Sequence, residues 1–240
     1  MIPKKIHYCW FGRGEKPKLA KKCIASWKKY CPDYEIVEWN EDNFDVNLND
    51  YTRYCYENKK WAYLSDYVRL YVVEKYGGIY FDTDVEVVKS INHLLRLDAF
   101  LGFETDNYVA SGLGFGAVAN HKVIKLMLGE YSVLGNEIEE TNKFIGCPIL
   151  NTEALVKRGL IRNGKYQVIE GAHILEADYL NPYDDATGQL NVTKNTVSIH
   201  WYAKSALSKK VKIRSMITRP IHRVFGVDSL KKLKSFLKMK

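Results

Sequence analysis

Asp82 and Asp84 lie two residues apart, directly after the short apolar run Ile79–Phe81. On extended backbone, residues i and i+2 point to the same side, so the two carboxylates converge. Like charges that are close together and partly buried repel each other and are costly to desolvate, unless a cation or a proton compensates them. The pattern therefore predicts a site for a hard divalent cation with oxygen ligands, and a solvated acidic turn is the alternative.

Asp66 and Arg69 form a second pair of charged residues, three positions apart on a predicted helix. Residues at i and i+3 share one face of a helix, so the pair can act together. The helix, Trp61–Tyr76, is otherwise rich in tyrosine, leucine and valine, which favours partial burial of the pair. A buried pair would offer charge-assisted hydrogen bonds to the hydroxyls of a sugar ring, whereas a surface pair would be a salt bridge of little energetic value.

The elements that position these residues alternate between strand and helix. The predicted strands are Ile6–Phe11, Tyr34–Trp39, Ile79–Phe81, Val85–Val88, Ala99–Phe103, Leu113–Val118 and Thr196–Ile199. The predicted helices are Pro17–Lys29, one in the fifties, Trp61–Tyr76, Val123–Tyr131 and Ile149–Lys157. A chain that opens with strand, helix and strand is typical of an α/β domain with a mostly parallel central sheet, in which Trp27, Trp39 and Trp61 are expected to pack in the core.

Length and composition set the broad class of the protein. The chain has 240 residues, 46% of them hydrophobic and 27% charged, which suits a globular domain with a substantial core. It lacks a run of about 18 apolar residues and an apolar signal-peptide core, so a cytoplasmic location is predicted. The five cysteines are odd in number and contain no Cys-x-x-Cys pair, which favours buried reduced thiols over disulfides or zinc ligands.

The net charge of +8 is concentrated at the carboxyl end. Residues 209–240 carry eleven basic residues and one acidic residue, a net charge of +10, which leaves −2 for residues 1–208. This difference divides the chain into a catalytic domain at 1–208 and a basic helical C-terminal tail at 209–240. No nucleic-acid partner is predicted, because an enzyme acting on nucleic acid would more often spread positive charge over its working face.

The end of the tail has the pattern of an amphipathic helix. Leu230, Leu233, Phe236 and Leu237 fall on one helical stripe, and the lysines lie mostly on the other face. Such a helix predicts binding to an anionic membrane surface, which would hold the protein peripherally at the inner face of the cell membrane. The alternative is that the stripe packs against the catalytic domain.

Three segments of the chain resemble a known enzyme family: Trp61–Arg69, Tyr76–Asp84 and Ile2–Gly12. They are similar to the DXD-containing glycosyltransferase sugar-binding region, whose members include initiating α-mannosyltransferases of yeast, capsular polysaccharide glycosyltransferases and, distantly, the glucosylating large bacterial toxins. The resemblance implies a GT-A type nucleotide-sugar-binding fold, a nucleotide-diphosphate-sugar donor, Mn²⁺ or Mg²⁺, and retention at the anomeric carbon. Because the Trp10 motif resembles that of UDP-sugar users, UDP is expected rather than GDP.

The resemblance also implies a role for each matching residue on the donor side. Trp10 corresponds to the aromatic residue that stacks on the donor base, and Tyr80 to a residue beside the nucleoside. Ser65, Asp66 and Arg69 correspond to contacts with the donor sugar.

On the metal side, Asp82 corresponds to the carboxylate near the ribose and the metal, and Asp84 to the direct metal ligand. His200 corresponds to a further metal ligand near the carboxyl end of the family's domain. Ser205 corresponds to a serine close to the diphosphate, but Ala206 stands where the family has a tryptophan.

The predicted activity is transfer of a hexosyl or N-acetylhexosaminyl group to a glycan or lipid-linked oligosaccharide acceptor, in capsular or cell-surface polysaccharide synthesis. Two routes for the chemistry stay open. The departing phosphate could take the acceptor's proton, or Glu104 or Asp106, which follow a predicted strand, could act as a carboxylate nucleophile.

Two other classes of protein remain as alternatives. Haloacid-dehalogenase-type phosphatases also carry Asp-x-Asp at a strand end, and Asp184-Asp185 resembles their late acidic pair. However, Glu86 stands where those enzymes carry threonine or valine, and an aromatic-rich βα unit precedes the motif. A non-enzymatic membrane-surface binding module would explain the basic tail but not the clustered charged residues.

Overall fold

The computed structural model describes residues 1–141, 144–203, 209–227 and 229, which form strands and helices in alternation. The strands are β1 (Lys5–Cys9), β2 (Glu35–Trp39), β3 (Gly78–Tyr80), β4 (Val85–Val87), β5 (Ala99–Thr105), β6 (Tyr108–Val109), β7 (Phe115–Ala117), β8 (Gln167–Ile169), β9 (Ala172–Leu175), β10 (Tyr183–Asp184), β11 (Gln189–Leu190) and β12 (Ser198–His200). The helices are α1 (Lys18–Tyr30), α2 (Asp50–Glu57), α3 (Trp61–Tyr76), α4 (Lys122–Thr141), α5 (Cys147–Val156), α6 (Ala177–Leu180) and α7 (Lys209–Phe225).

The central sheet has the strand order β2-β1-β3-β7-β5-β9-β8, with β6 paired to β5. Strand β1 is parallel to both β2 and β3, and β5 is parallel to β9. Strand β7 runs antiparallel between β3 and β5, and β8 runs antiparallel to β9. Five of the seven strands along this path therefore run in one direction, which confirms the predicted α/β fold with a mostly parallel sheet.

Helix α3 packs against this sheet and leads the chain into β3. Its residues Leu64, Val68 and Val72 are fully buried, in agreement with the predicted helical spacing. The helix ends at Gly77, whose φ of +65° lies in the left-handed region that glycine adopts without strain. Gly78 follows with φ +111°, and a Cβ there would lie 2.9 Å from the carbonyl oxygen of Lys5 on β1. The glycine pair thus ends the helix and lets β3 enter the sheet.

A small second sheet joins β12, near residue 200, to the segment that follows the acidic motif. Strand β12 pairs antiparallel with β4, with His200 opposite Val85. The backbone N–H of Trp201 donates to the carbonyl oxygen of Asp84 at 3.0 Å. Residues about 115 positions apart in sequence are therefore fixed side by side at the end of β3.

The described part of the basic tail, α7, packs against the hairpin formed by β10 and β11. The Arg219 guanidinium forms an ion pair with Asp185 at 2.5 Å, and Arg223 donates to the carbonyl oxygen of Gly188 at 2.9 Å. The predicted stripe at Leu230–Leu237 lies outside the described residues. None of the described helices has the length and apolar character needed to cross a membrane. All five cysteines are buried and unpaired, as predicted.

Candidate active site

The predicted site residues lie at one edge of the central sheet. Trp10 directly follows β1, and Asp82 follows β3 by two residues. Because these strands are neighbours and parallel, their carboxyl ends meet, which is where open α/β sheets bind ligands. A cavity of about 350 Å³ opens at this edge. Its described walls are Cys9, Trp10, Phe11, Gly12, Gly14, Pro17, Leu19, Ala20, Trp61, Ala62, Ser65, Arg69, Asp82, Thr83, Asp84 and Ala203.

A buried arginine that lines this cavity lies between two carboxylates. Arg69 is 3% exposed, and its Nη1 lies 3.0 Å from Asp66 Oδ1 while its Nη2 lies 2.8 Å from Asp82 Oδ1. The guanidinium also lies over the ring of Tyr80, 5.0 Å from the ring centroid. A buried charge persists only when it is paired, and here two carboxylates from different elements neutralise one cation. The Nε of Arg69 is buried and has no hydrogen-bond partner among the described residues.

Asp66 stands behind Arg69 and does not line the cavity. Its Oδ2 accepts a hydrogen bond of 3.3 Å from the backbone N–H of Cys147, the first residue of α5. A carboxylate is favourable at a helix N-terminus, where unpaired N–H groups carry partial positive charge. Burial raises the pKa of Asp66 to about 6, even though Arg69 lowers it. Of the three residues expected to contact the donor sugar, Ser65 and Arg69 line the cavity, and Asp66 holds Arg69 in place.

Tyr80 is also placed behind the cavity wall. It is 1% exposed, and its hydroxyl donates a hydrogen bond of 2.9 Å to Asp82 Oδ1. Tyr80 therefore contacts the Asp82 carboxylate and does not line the cavity. Burial raises the pKa of Asp82; Arg69 opposes this increase and the neighbouring Asp84 adds to it. Gly112, in a short 3₁₀ turn, completes the enclosure, because a Cβ at this position would lie 2.8 Å from Asp82 Oδ2 and 3.1 Å from Arg69 Nη1.

Asp84 contacts the segment that contains β12 and the residues directly after it. Its Oδ1 lies 3.2 Å from His200 Nε2, and its Oδ2 accepts a hydrogen bond of 2.7 Å from the backbone N–H of Ala203. Burial alone would raise the pKa of Asp84, but His200 and the hydrogen bonds outweigh it and the pKa is lowered. Burial would likewise lower the pKa of His200, but Asp84, Asp82 and Glu104 outweigh it and the pKa is raised.

Asp82, Asp84 and His200 form a group whose ligand atoms all lie within 4.8 Å of one another. His200 Nδ1 is buried and has no hydrogen-bond partner among the described residues, so the imidazole is not fully used by the protein. Two carboxylates and one imidazole are a donor set that fits a divalent cation. The two converging carboxylates predicted from the sequence are therefore joined by a third ligand-type side chain from a distant strand.

Two tryptophans, Trp10 and Trp61, also line the cavity. Trp10 is partly buried; its Nε1 donates to the carbonyl oxygen of Gly14 at 2.6 Å, and the Lys16 ammonium lies 5.5 Å from its ring centroid. Trp61, expected only to pack in the core, also lines the cavity. Gly12, with φ +87°, passes so close to Trp61 that a Cβ there would lie 2.8 Å from the indole. Sequence spacing could not reveal this contact, because it depends on the turn after β1.

The remaining predicted residues lie elsewhere. Ser205, expected near the diphosphate, and Ala206 lie outside the described residues. Asp184 and Asp185, considered as a late acidic pair for a phosphatase, line a different cavity from Asp82, together with Glu104 and Asp106. Asp184 accepts hydrogen bonds from Thr187 and from the Ala186 backbone within its own hairpin, which is a structural role. This placement does not support the phosphatase alternative.

Comparison with known proteins confirms the resemblance. Residues 17–101 match the family described as the glycosyltransferase sugar-binding region containing a DXD motif. The matched range includes Ser65, Asp66, Arg69, Asp82 and Asp84.

The chain is also similar to curated mannosyltransferases of two yeasts. It is 30% identical over 107 residues to inositol phosphoceramide mannosyltransferase 3 of Schizosaccharomyces pombe, covering 42% of this chain and 29% of that protein. It is 28% identical over 136 residues to mannosyl phosphorylinositol ceramide synthase CSH1 of Saccharomyces cerevisiae, covering 52% and 35%. The chain thus spans about a third of the length of these curated relatives.

Among solved structures, the fold is similar to that of the PaToxG glycosyltransferase. The two superpose with a TM-score of 0.54 and 19% sequence identity, over 65% of this chain and 69% of that one. At this identity the likeness concerns the fold, and it agrees with the GT-A type architecture expected from the sequence.

Proposed function

We propose that this chain, whose residues 17–101 match the sugar-binding region of DXD-containing glycosyltransferases, is a metal-dependent retaining glycosyltransferase. It moves a hexosyl or N-acetylhexosaminyl group from a UDP-sugar to a glycan acceptor, in the synthesis of a capsular or other cell-surface polysaccharide. The observation that carries the proposal is the group of Asp82, Asp84 and His200, two of which line a cavity with an aromatic wall at Trp10.

Mn²⁺ or Mg²⁺ is the proposed cofactor, held by Asp82, Asp84 and His200. When bound, the cation supplies Lewis-acid stabilisation of the charge that develops on the leaving diphosphate. The imidazole in the ligand set departs from the nearly all-oxygen shell that Mg²⁺ prefers, which favours Mn²⁺.

Each wall of the cavity has a part in the proposed donor complex. Trp10 stacks on the uracil ring, an interaction of about 1–3 kcal/mol per base. Ser65 and Arg69 face the sugar, and Arg69 is kept in position by Asp66 and Asp82. Because Arg69 is locked by two carboxylates, its guanidinium is oriented before the donor binds, which reduces the entropy lost on binding.

The carboxylates that line the cavity help to choose between the two routes by which the anomeric configuration of the sugar would be retained. Among the described residues that line it, the only carboxylates are Asp82 and Asp84, both assigned to the metal. Glu104 and Asp106, considered as nucleophiles, line the other cavity. This arrangement supports the route in which the departing phosphate itself takes the proton of the acceptor hydroxyl.

Peripheral membrane association is the second part of the proposal. Helix α7 exposes Ile213, Ile217 and Val224 at helical spacing, and each is more than half exposed. The same helix carries basic side chains and no acidic residue. An apolar stripe with cationic flanks fits the surface of an anionic leaflet, which would place a lipid-linked acceptor close to the enzyme at the cytoplasmic face.

The function is tested with a panel of nucleotide sugars in a thermal-shift assay, with and without Mn²⁺. A ligand that binds only the folded state stabilises it by RT ln(1 + [L]/Kd), so the true donor raises Tm most, and only with metal. Asp84→Asn should abolish both this metal-dependent shift and donor hydrolysis while the protein stays folded. Near-normal turnover of Asp84→Asn in Mn²⁺ would refute the metal assignment, and labelling of Asp82 by beryllium fluoride would favour a phosphatase.

A further inference from the structure

A second cavity of about 730 Å³ lies beside the proposed donor site. We call it the acidic cleft, because five carboxylates line it: Glu104, Asp106, Asp178, Asp184 and Asp185. None of the described residues that line it is basic, although Arg219 of α7 forms an ion pair with Asp185. Its walls come from the end of β5, from α6 and from the chain around the hairpin of β10 and β11, with Tyr202 at one side.

One residue that lines this cleft has an amide oxygen without a partner. Asn181 is 9% exposed, and its Nδ2 donates to the carbonyl oxygen of Glu104 at 3.0 Å and to the hydroxyl of Tyr202 at 2.8 Å. The orientation of the amide is fixed, because a carbonyl oxygen can only accept. Its Oδ1 is therefore buried with no hydrogen-bond partner among the described residues, and the same holds for Asp178 Oδ1.

Two of the residues that line the cleft thus each carry one buried acceptor oxygen without a donor among the described residues. An unpaired buried polar atom costs about 1–3 kcal/mol, so such atoms are normally satisfied by a ligand or by ordered water. The missing partners must be donors of N–H or O–H groups. Hydroxyl groups of a sugar ring meet this requirement, and carboxylates and amides are suitable acceptors for them.

The cleft and the donor cavity are separated by a thin wall. The ring of Tyr202 lies 4.1 Å from the ring of His200, centroid to centroid, and its hydroxyl donates to Glu104 Oε1 at 3.2 Å. On the other side, His200 contacts Asp84, which lines the donor cavity. Tyr202 has a φ of +48°, a left-handed conformation that is strained for a tyrosine and is characteristic of functional sites.

We propose that the acidic cleft binds the acceptor, as a hydroxyl-rich sugar ring without negative charge. This proposal rests on the proposed glycosyltransferase function. The clustered carboxylates repel an anionic acceptor such as a uronate, and they tolerate a neutral or amino sugar. An acceptor hydroxyl that reaches past Tyr202 forms the new bond to the anomeric carbon of the donor sugar; the bond from that carbon to the diphosphate breaks, and the hydroxyl proton leaves on the diphosphate.

Binding of octyl glycosides to the full chain, followed by ligand-detected NMR, tests the assignment without requiring turnover. Octyl glucoside, octyl glucosaminide and octyl glucuronide differ in charge at the ring and share one aglycone. We expect the first two to bind and the glucuronide to bind at least about tenfold more weakly at low salt. Asn181→Ala and Glu104→Gln should each weaken binding of octyl glucoside about tenfold, and Asp106→Lys should improve binding of the glucuronide.

Donor hydrolysis and transfer to octyl glucoside, measured with UDP-sugar and Mn²⁺, give a second readout. The ratio of transfer to hydrolysis should fall at least about tenfold in Asn181→Ala and Glu104→Gln. Asp33→Asn, an exposed carboxylate paired with Lys4 away from both cavities, is the matched control and should change neither reaction. Asp106 is exposed, so its variant should fold even if Asn181→Ala does not.

The two proposals fail in different ways. If wild-type protein hydrolyses no nucleotide sugar with Mn²⁺, the glycosyltransferase function is wrong, and the glycosides still report whether the cleft binds sugars. If hydrolysis proceeds but the cleft variants bind octyl glucoside as the wild type does, the cleft assignment is overturned. Equal binding of octyl glucuronide and octyl glucoside would overturn the charge selectivity.

Discussion

Arg69 and Asp82 are thirteen residues apart in sequence, and 2.8 Å separates Nη2 from Oδ1 in the fold. Their contact fixes the end of β3 to helix α3, whose Asp66 holds the other side of the same guanidinium. The arginine therefore fixes the orientation of the Asp82 carboxylate, which we propose binds the metal. Its two partners also make it a structural residue, since removing one member of a buried ion pair leaves an uncompensated charge.

Arg69→Ala should lower the free energy of unfolding by about 3–5 kcal/mol, because the buried Asp66 and the partly buried Asp82 would be left without their cation. Urea denaturation measures this loss. Arg53→Ala is a matched control, since Arg53 forms an exposed pair with Asp50 at the same i,i+3 spacing, and about 1 kcal/mol or less is expected there. Equal losses in the two variants would contradict the buried bridge. The sugar contact is better tested with Ser65→Ala, because Ser65 lines the cavity and takes no part in the buried bridge.

Gly112→Ala should impair the proposed metal site, and its Cβ would also lie 3.1 Å from Arg69 Nη1. The new Cβ would meet Asp82 Oδ2 at 2.8 Å, and the carboxylate must shift to admit it. We expect the Mn²⁺ concentration for half-maximal donor hydrolysis to rise about tenfold or more, measured by titration at saturating donor. Gly129→Ala is the control, since a Cβ on this helical glycine meets nothing within 4 Å and should be neutral or slightly stabilising. An unchanged Mn²⁺ titration for Gly112→Ala would contradict the assignment of Asp82 as a metal ligand.

Trp10→Ala should weaken binding of free UDP by about 1–3 kcal/mol, the usual contribution of stacking an aromatic side chain on a base. Calorimetry in the presence of Mn²⁺ measures the affinity. Trp27→Phe serves as a control, because Trp27 is fully buried and is not one of the residues that line the cavity. Its ring packs on Tyr8 and Phe81. If Trp10→Ala binds UDP as tightly as the wild type, the base stacks elsewhere, and Trp61 is the other indole in the cavity.

Membrane association should depend on the exposed apolar side chains of α7. Ile217→Glu places a charge in the middle of the exposed stripe and should reduce binding to liposomes that contain anionic lipid, while wild-type binding falls as ionic strength rises. Ile161→Glu is the matched control, because Ile161 is 64% exposed and Ile217 is 63% exposed. Co-sedimentation at low salt measures both. Failure of the wild type to bind, or equal loss in both variants, would contradict a role for α7.

The sequence predicted those parts of the site that depend on local signals. Helix α3, its glycine stop and the acidic strand end were all found, because helical periodicity, a left-handed glycine and an apolar run each leave a pattern within about 20 residues. The expected positions of Asp82 and Asp84 followed from β3 alone. The bounds of α1 and β2 were also close to those predicted, since turn residues flank both elements.

The parts that were missed depend on contacts between distant segments. The short strands β8 to β11 have two to four residues each, and β9 enters the central sheet through its parallel pairing with the distant strand β5. The hydrogen bond from Cys147 to Asp66 spans 81 residues, so no spacing rule could show that Asp66 lies at the start of α5. The acidic cleft was missed for the same reason, because Glu104, Asn181 and Tyr202 meet only in the folded chain.

A buried histidine gives the fold a defined response to pH. His7 is fully buried between Trp39 and Gly77. The indole Nε1 of Trp39 can only donate, at 3.0 Å to His7 Nδ1, so Nε2 carries the ring proton and donates it to the carbonyl oxygen of Gly77 at 2.9 Å. A second proton, on Nδ1, would turn this acceptor into a donor that faces the Trp39 N–H. Burial, with the nearby Lys5 charge, lowers the pKa of His7 from 6.5 to about 4 against the opposing effect of the Gly77 hydrogen bond.

The sign of the resulting pH dependence follows from proton uptake. Between pH 6.5 and about 4, the unfolded imidazole binds a proton and the folded one does not, so the contribution of His7 is complete above pH 6.5 and is lost as the pH falls. The full loss of folding free energy is about 3 kcal/mol, because the pKa of His7 falls from 6.5 to about 4 and a difference of one in pKa corresponds to about 1.4 kcal/mol. His7→Gln keeps a donor and an acceptor but does not titrate. Urea denaturation of both proteins from pH 7 to pH 4 should therefore show a steeper decline for the wild type, and parallel declines would mean that His7 is not the group that responds.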